Sequence, residues 1–142
     1  MICKVNNNSK QILKEIIYRN HFMENPIKIH PIFAFTAIVL FAIVMYVSLL
    51  PKEELPEAPI IQADKFIHFS MYFLLSVITF KGFFNKNLKK SILFACGIAF
   101  LYGIIVEVLQ YSLTTTRMFD VFDIFANGIG TIFAYFVVNK YL

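Results

Sequence analysis

Residues 91–113 read SILFACGIAFLYGIIVEVLQYSL, an apolar run about as long as the roughly 20 residues that carry an α-helix across a bilayer. Its only charged side chain is Glu107, with Gln110 three residues on. Three other runs of this kind accompany it. Pro31 to Leu50 has no charged side chain, the run from about Lys65 to Phe84 contains His68 and Lys81, and Val121 to Val138 contains Asp123 and Asn127. The spacing predicts helices over about 31–50, 65–84, 91–113 and 121–138. The expected fold is all-α, a polytopic four-helix transmembrane bundle. The first run ends in Ser48, Leu49, Leu50 and Pro51 rather than in a small-residue cleavage pattern, so it reads as a retained helix and not a signal peptide.

Composition agrees. Of the 142 residues 58% are hydrophobic, above the roughly 45–50% apolar usage of soluble domains, and a soluble core of this size does not absorb that surplus. The net charge of +4 is carried between the apolar runs, as topogenic signals are. No basic stripe is interleaved with exposed aromatics, which argues against nucleic acid as a partner. Cys3 and Cys96 stand far apart and suggest neither a disulfide framework nor a metal site; no metal or cofactor is expected.

The chain divides into a basic N-terminal segment, 1–30, and a membrane domain, 31–142. The segment carries Lys4, Lys10, Lys14, Arg19 and Lys28 against Glu15 and Glu24, and Ile12, Leu13, Ile16 and Ile17 fall on one helical face. An amphipathic helix on the cytoplasmic leaflet fits that spacing; a disordered leader and a natural start at Met23 are the alternatives. Pro51 to Asp64, with Pro51, Pro56 and Pro59, is expected to be a non-helical loop. The segment before the first run and the turn at Lys86, Lys89 and Lys90 are basic, whereas the first and third connections hold only Lys52, Lys65 and Arg117. The positive-inside rule then places both termini in the cytoplasm.

This topology gathers polar residues at the outer end. Asp64 and His68 are four apart, Glu107 and Gln110 three apart, and Asp120, Asp123 and Asn127 follow a three-then-four step, so each set shares one helical face. At 1.5 Å per residue, His68, Glu107 and Asn127 lie on the order of 5–10 Å below the outer helix ends. Charged groups at that depth cost several kcal/mol when they face lipid, so these faces should point inward. The expected ligand-binding set is Asp64, Lys65, His68, Glu107, Gln110, Arg117, Asp120, Asp123 and Asn127; a Glu107–Arg117 ion pair that only holds the third and fourth helices together is the alternative for those two residues. Ala95, Ala99 and Gly103, and Ala126, Gly130 and Ala134, repeat at four-residue spacing, a pattern that lets helix backbones approach.

The segment Asp64-Lys65-Phe66-Ile67-His68-Phe69 followed by Tyr72-Phe73, then Glu107-Val108-Leu109-Gln110, then Arg117, Phe119-Asp120, Asp123, Asn127 and Gly130, resembles the VanZ-like family of small bacterial membrane proteins. The resemblance implies a four-helix integral protein of the cell envelope, in a family whose named member is associated with low-level resistance to teicoplanin-type glycopeptides. Some members carry a phosphotransbutyrylase label, but this chain has no Gly-rich phosphate loop.

Three functions compete. The first is a non-enzymatic protein of the bacterial cytoplasmic membrane whose partner is a membrane lipid or lipid-linked envelope precursor, with Lys65 and Arg117 on phosphate and Asp123, Asn127 and Gln110 on the polar head. The second is a membrane enzyme using His68 as general acid or base, with Glu107 or Asp123 orienting it; no Ser-His-Asp or zinc signature accompanies it. The third is a transporter, for which four helices are few unless the chain forms a homo-oligomer.

Overall fold

The computed structural model describes residues 7–23, 27–51, 63–84, 87–115 and 118–141. Along the chain these form α1 (Asn7–Met23), β1 (Lys28–Ile29), α2 (Pro31–Leu49), α3 (Ala63–Gly82), β2 (Phe83–Phe84), α4 (Leu88–Leu113) and α5 (Val121–Lys140). Helix α2 opens on Pro31, whose missing N–H is no loss at a first helical position. It stops because Leu50 precedes Pro51: that residue is driven out of the helical region and takes an extended ψ of 140°. Asn87 starts α4 by accepting the Lys90 backbone N–H at 3.1 Å, and Asp120 starts α5 by accepting that of Phe122 at 2.8 Å, the two caps that short polar side chains supply.

Three helices, α2, α4 and α5, are long and apolar enough to cross a membrane. Helix α3 is not among them, because Asp64, Lys65, His68 and Lys81 dilute its apolar run. It nevertheless packs against all three of the others. Phe35, Leu101, Ile105, Phe125, Ile129 and Phe136 are exposed, an apolar surface that suits contact with hydrocarbon and that a soluble monomer rarely carries.

The helices meet through small residues. Ala95, Ala99 and Gly103 on α4, and Ala126, Gly130 and Ala134 on α5, are all buried. At Gly130 a Cβ would lie 3.1 Å from the Phe69 carbonyl carbon and 3.2 Å from the Phe73 nitrogen. The α3 and α5 backbones touch there, as small residues in membrane helices permit. Phe80, Ile92, Ala95, Cys96 and Ala134 fill one end of the interior, and Val44, Tyr72, Leu75 and Ala99 fill the middle.

Several expectations need adjustment. Helix α3 starts at Ala63 and takes in Asp64, which the sequence assigns to a loop, and α4 begins three residues before Ser91, at Leu88. Phe83 and Phe84, expected to be helical, pair antiparallel with Lys28 and Ile29 in the register Lys28↔Phe84 and Ile29↔Phe83. The His30 backbone N–H continues the ladder to the Gly82 carbonyl at 3.0 Å. Within the N-terminal segment Asn7–Met23 is helical, and Ile12, Leu13, Ile16 and Ile17 are exposed on it. Lys52 to Gln62, including Pro56 and Pro59, lie outside the described residues, as do Cys3, Lys4, Glu24 and Lys86.

Candidate functional site

Lys65 sits in the first turn of α3, at the end where α5 begins. Its ammonium donates to Asp64 Oδ2 at 2.9 Å, Asp120 Oδ2 at 2.5 Å and Asp123 Oδ1 at 2.5 Å. Asp120 is the cap of α5 and Asp123 stands in its first turn, where the positive end of the helix dipole favours a carboxylate. One ammonium thus joins α3 to α5. Hydrogen bonding to Lys65 holds the Asp120 carboxyl below the usual carboxylate range, against a smaller upward push from burial. The side chains grade from outside to inside, with Asp64 59%, Asp120 37% and Asp123 12% exposed.

One turn deeper on α3, His68 Nδ1 lies 3.1 Å from Asn127 Oδ1. An amide oxygen only accepts, so Nδ1–H is the donor in this arrangement. His68 Nε2 lies 3.8 Å from Asp123 Oδ2, and the imidazole stacks on the Tyr72 ring at 6.4 Å and 8°. Asn127 is 1% exposed. Its Nδ2 has no hydrogen-bond partner among the described residues and lies where a side chain on Gly103 would be: a Cβ there would come within 2.9 Å of both Asn127 Nδ2 and Tyr72 Cε1. The absence of a side chain at Gly103 makes room for the amide.

Helix α4 contributes Glu107, which is 1% exposed. Its Oε1 accepts the backbone N–H of Asp120 at 2.8 Å, tying the far end of α4 to the start of α5. Gln110 is buried one turn on, and its backbone carbonyl accepts the Thr114 hydroxyl at 2.6 Å.

The structure therefore brings Asp64, Lys65, Asp120 and Asp123 into direct contact, joins His68 to Asn127 and Asp123, and fixes Glu107 on the α5 cap. Arg117, a member of the expected set, lies outside the described residues. Lys65, expected to contact phosphate, is engaged by carboxylates. Asp64, Asp120 and Asp123 could hold a metal ion, since each offers an oxygen within 4.8 Å of the others, but the Lys65 ammonium already lies among those groups. Tyr72 and Gly103 were not in the expected set. The signal was present, because Tyr72 follows His68 by one helical turn and Gly103 precedes Glu107 by one.

In comparison with known proteins, a family model described as VanZ/LLP1 matches residues 2–141, nearly the whole chain and more than the motifs from α3 onward. No curated protein and no solved structure matches it.

Proposed function

The chain belongs to the VanZ/LLP1 family, and from that premise we propose that it is a multi-pass protein of the bacterial cytoplasmic membrane that binds a lipid head group or a lipid-linked cell-wall intermediate at the α3–α4–α5 polar site. The observation that carries this reading is the burial of Glu107, Asp123 and Asn127 on helices α4 and α5, both apolar enough to cross a membrane. Such groups are costly at that depth and ordinarily mark a functional site. The site end faces outward and the lysine-rich end faces the cytoplasm, following the basic-residue asymmetry.

The site's charge says which part of a head group it takes. Among the described residues the site holds four carboxyl groups, those of Asp64, Glu107, Asp120 and Asp123, and one ammonium, that of Lys65, which touches all of them but Glu107. A hydroxyl-rich or ammonium-bearing portion is accommodated there more readily than a bare phosphate, because like charges repel strongly where water is scarce. The enzymatic alternative ranks second, since both His68 ring nitrogens face protein groups, Asn127 and Asp123, rather than an open position a substrate proton could reach.

Native mass spectrometry of the mildly extracted chain tests the proposal. A co-purifying lipid or polyprenyl species should be retained by the wild type and lost from Asp123→Asn and Glu107→Gln, with both variants still folded. Retention unchanged in both variants defeats the binding reading, and turnover of the species would establish the enzyme. In a host that supports it, the same variants should lose any teicoplanin protection that the wild type confers.

A further inference from the structure

At the opposite end of the helices, Lys28 on β1, Lys81 in the last turn of α3 and Lys89 and Lys90 in the first turn of α4 are all exposed. They are brought together by β2, which pairs with β1, follows α3 directly and packs on α4. Among the described residues none of the four is paired with a carboxylate, and the ion pairs are those of Lys65 and His68. The Lys81 ammonium lies over the face of Phe33, 5.5 Å from the ring centroid. Helix α4 has no acidic residue in its first turn, so Lys89 and Lys90 add to the positive end of its dipole instead of offsetting it. Four cations thus converge without a counterion among the described residues.

The surroundings select the counterion. Ile27 and Ile29, on either side of Lys28, are 59% and 62% exposed. The patch borders the starts of α2 and α4, two of the helices apolar enough to cross a membrane. Apolar side chains beside lysines at the level where a membrane helix begins suit the head-group layer, where anionic lipid attracts each nearby basic residue. The β1–β2 pairing and the His30 ring stacked on Phe84 at 5.2 Å hold the backbone of this corner in place. We infer that the Lys28–Lys81–Lys89–Lys90 corner is a binding surface for anionic phospholipid head groups, separate from the carboxylate site at the other end.

The full chain is reconstituted into bilayers of phosphatidylcholine with a minor share of phosphatidylglycerol, mildly extracted, and the retained lipids are weighed by native mass spectrometry. Phosphatidylglycerol should be enriched several-fold over its share of the bilayer, and the enrichment should fall as salt rises, because exposed charges are screened. Changing all four lysines to Gln should bring the retained ratio to that of the bulk bilayer, while Lys→Arg at the same positions should keep the enrichment. Lys28→Gln and Lys81→Gln singly should each lower it in part, which keeps the test valid if the fourfold variant fails to insert. Absence of enrichment in the wild type, or enrichment that survives the fourfold Gln change or both single changes, overturns the inference.

Discussion

At one end of the helices Lys65 is enclosed by Asp64, Asp120 and Asp123; at the other, Lys81 rests against Phe33 and meets no carboxylate among the described residues. The residue type is the same and the consequence differs. The first ammonium is part of the fold, because it neutralises carboxylates contributed by two helices. The second is not neutralised by any described carboxylate. Every carboxylate described in α2–α5 and their connections stands at the first end, and every described lysine of the same region except Lys65 stands at the second.

The sharpest way to break this contrast is to remove each ammonium in turn. Lys65→Met leaves Asp120 and Asp123 facing each other without a cation. Stranding part-buried charges in this way should cost roughly 2–4 kcal/mol, somewhat under the 3–5 kcal/mol for a fully buried pair. Lys81→Met should stay within about 0.5 kcal/mol, as exposed substitutions do. Unfolding in detergent, followed by circular dichroism against a denaturing surfactant, measures both. Equal losses would mean that the two lysines do the same work.

A second comparison pits the packed polar layer against itself. Gly103→Ala drives a methyl into Asn127 Nδ2 and Tyr72 Cε1, each 2.9 Å from the added carbon. Overpacking of this kind typically costs about 1–3 kcal/mol, and displacing Asn127 should also cut the ligand retention described above. A variant of unchanged stability and retention would show that the amide has room to move.

The sequence makes one of these ends far more legible than the other. The carboxylate end could be read because helical periodicity places Asp64 with His68 and Asp123 with Asn127, and because membrane depth forces such faces inward. The partner choices were not legible. That Lys65 reaches two residues more than fifty positions away, and that Glu107 accepts the backbone N–H of Asp120, depends on how far α5 is rotated against α3. The backbone contact at Gly130 sets that rotation. The lysine end was read for topology alone, since a two-residue ladder such as β1–β2 leaves no periodic trace: Phe83 and Phe84 continue the apolar pattern of α3 and turn away only because Lys28 and Ile29 lie alongside.

Acid separates the two ends in another way. The Asp120 carboxyl is held below the usual range by its hydrogen bond to Lys65. Its contribution to stability is therefore present above its ordinary unfolded pKa, about 3.9, and is lost as pH falls through the lower folded value. Thermal stability in detergent should decline below about pH 4, and Asp120→Asn, which still caps α5, should flatten that slope. The fourfold Gln change at the lysine end should leave it as in the wild type, because lysines do not titrate in acid. A slope unaffected by Asp120→Asn would assign the acid sensitivity elsewhere.

The smallest effect separates a closed helix face from an open one. Gly97 lies on the same helix as Gly103, yet a Cβ there would meet no atom within 4 Å. It borders an apolar groove of about 360 Å³ between α4 and α5, lined in part by Leu93, Phe100, Gly128 and Phe136. With nothing to collide with, Gly97→Ala should recover the entropy that glycine loses in a helix, a gain of about 0.5 kcal/mol at the low end of the usual range. The groove would stay open and the chain would behave as before in the surfactant titration. Loss of stability that depends on protein concentration would instead mean that a second copy packs its helix against Gly97, since small residues on membrane helices serve such contacts. Repeating the titration at two protein-to-detergent ratios distinguishes the outcomes: a gain that is the same at both leaves this face to lipid, and a loss that grows on dilution gives it to a partner helix.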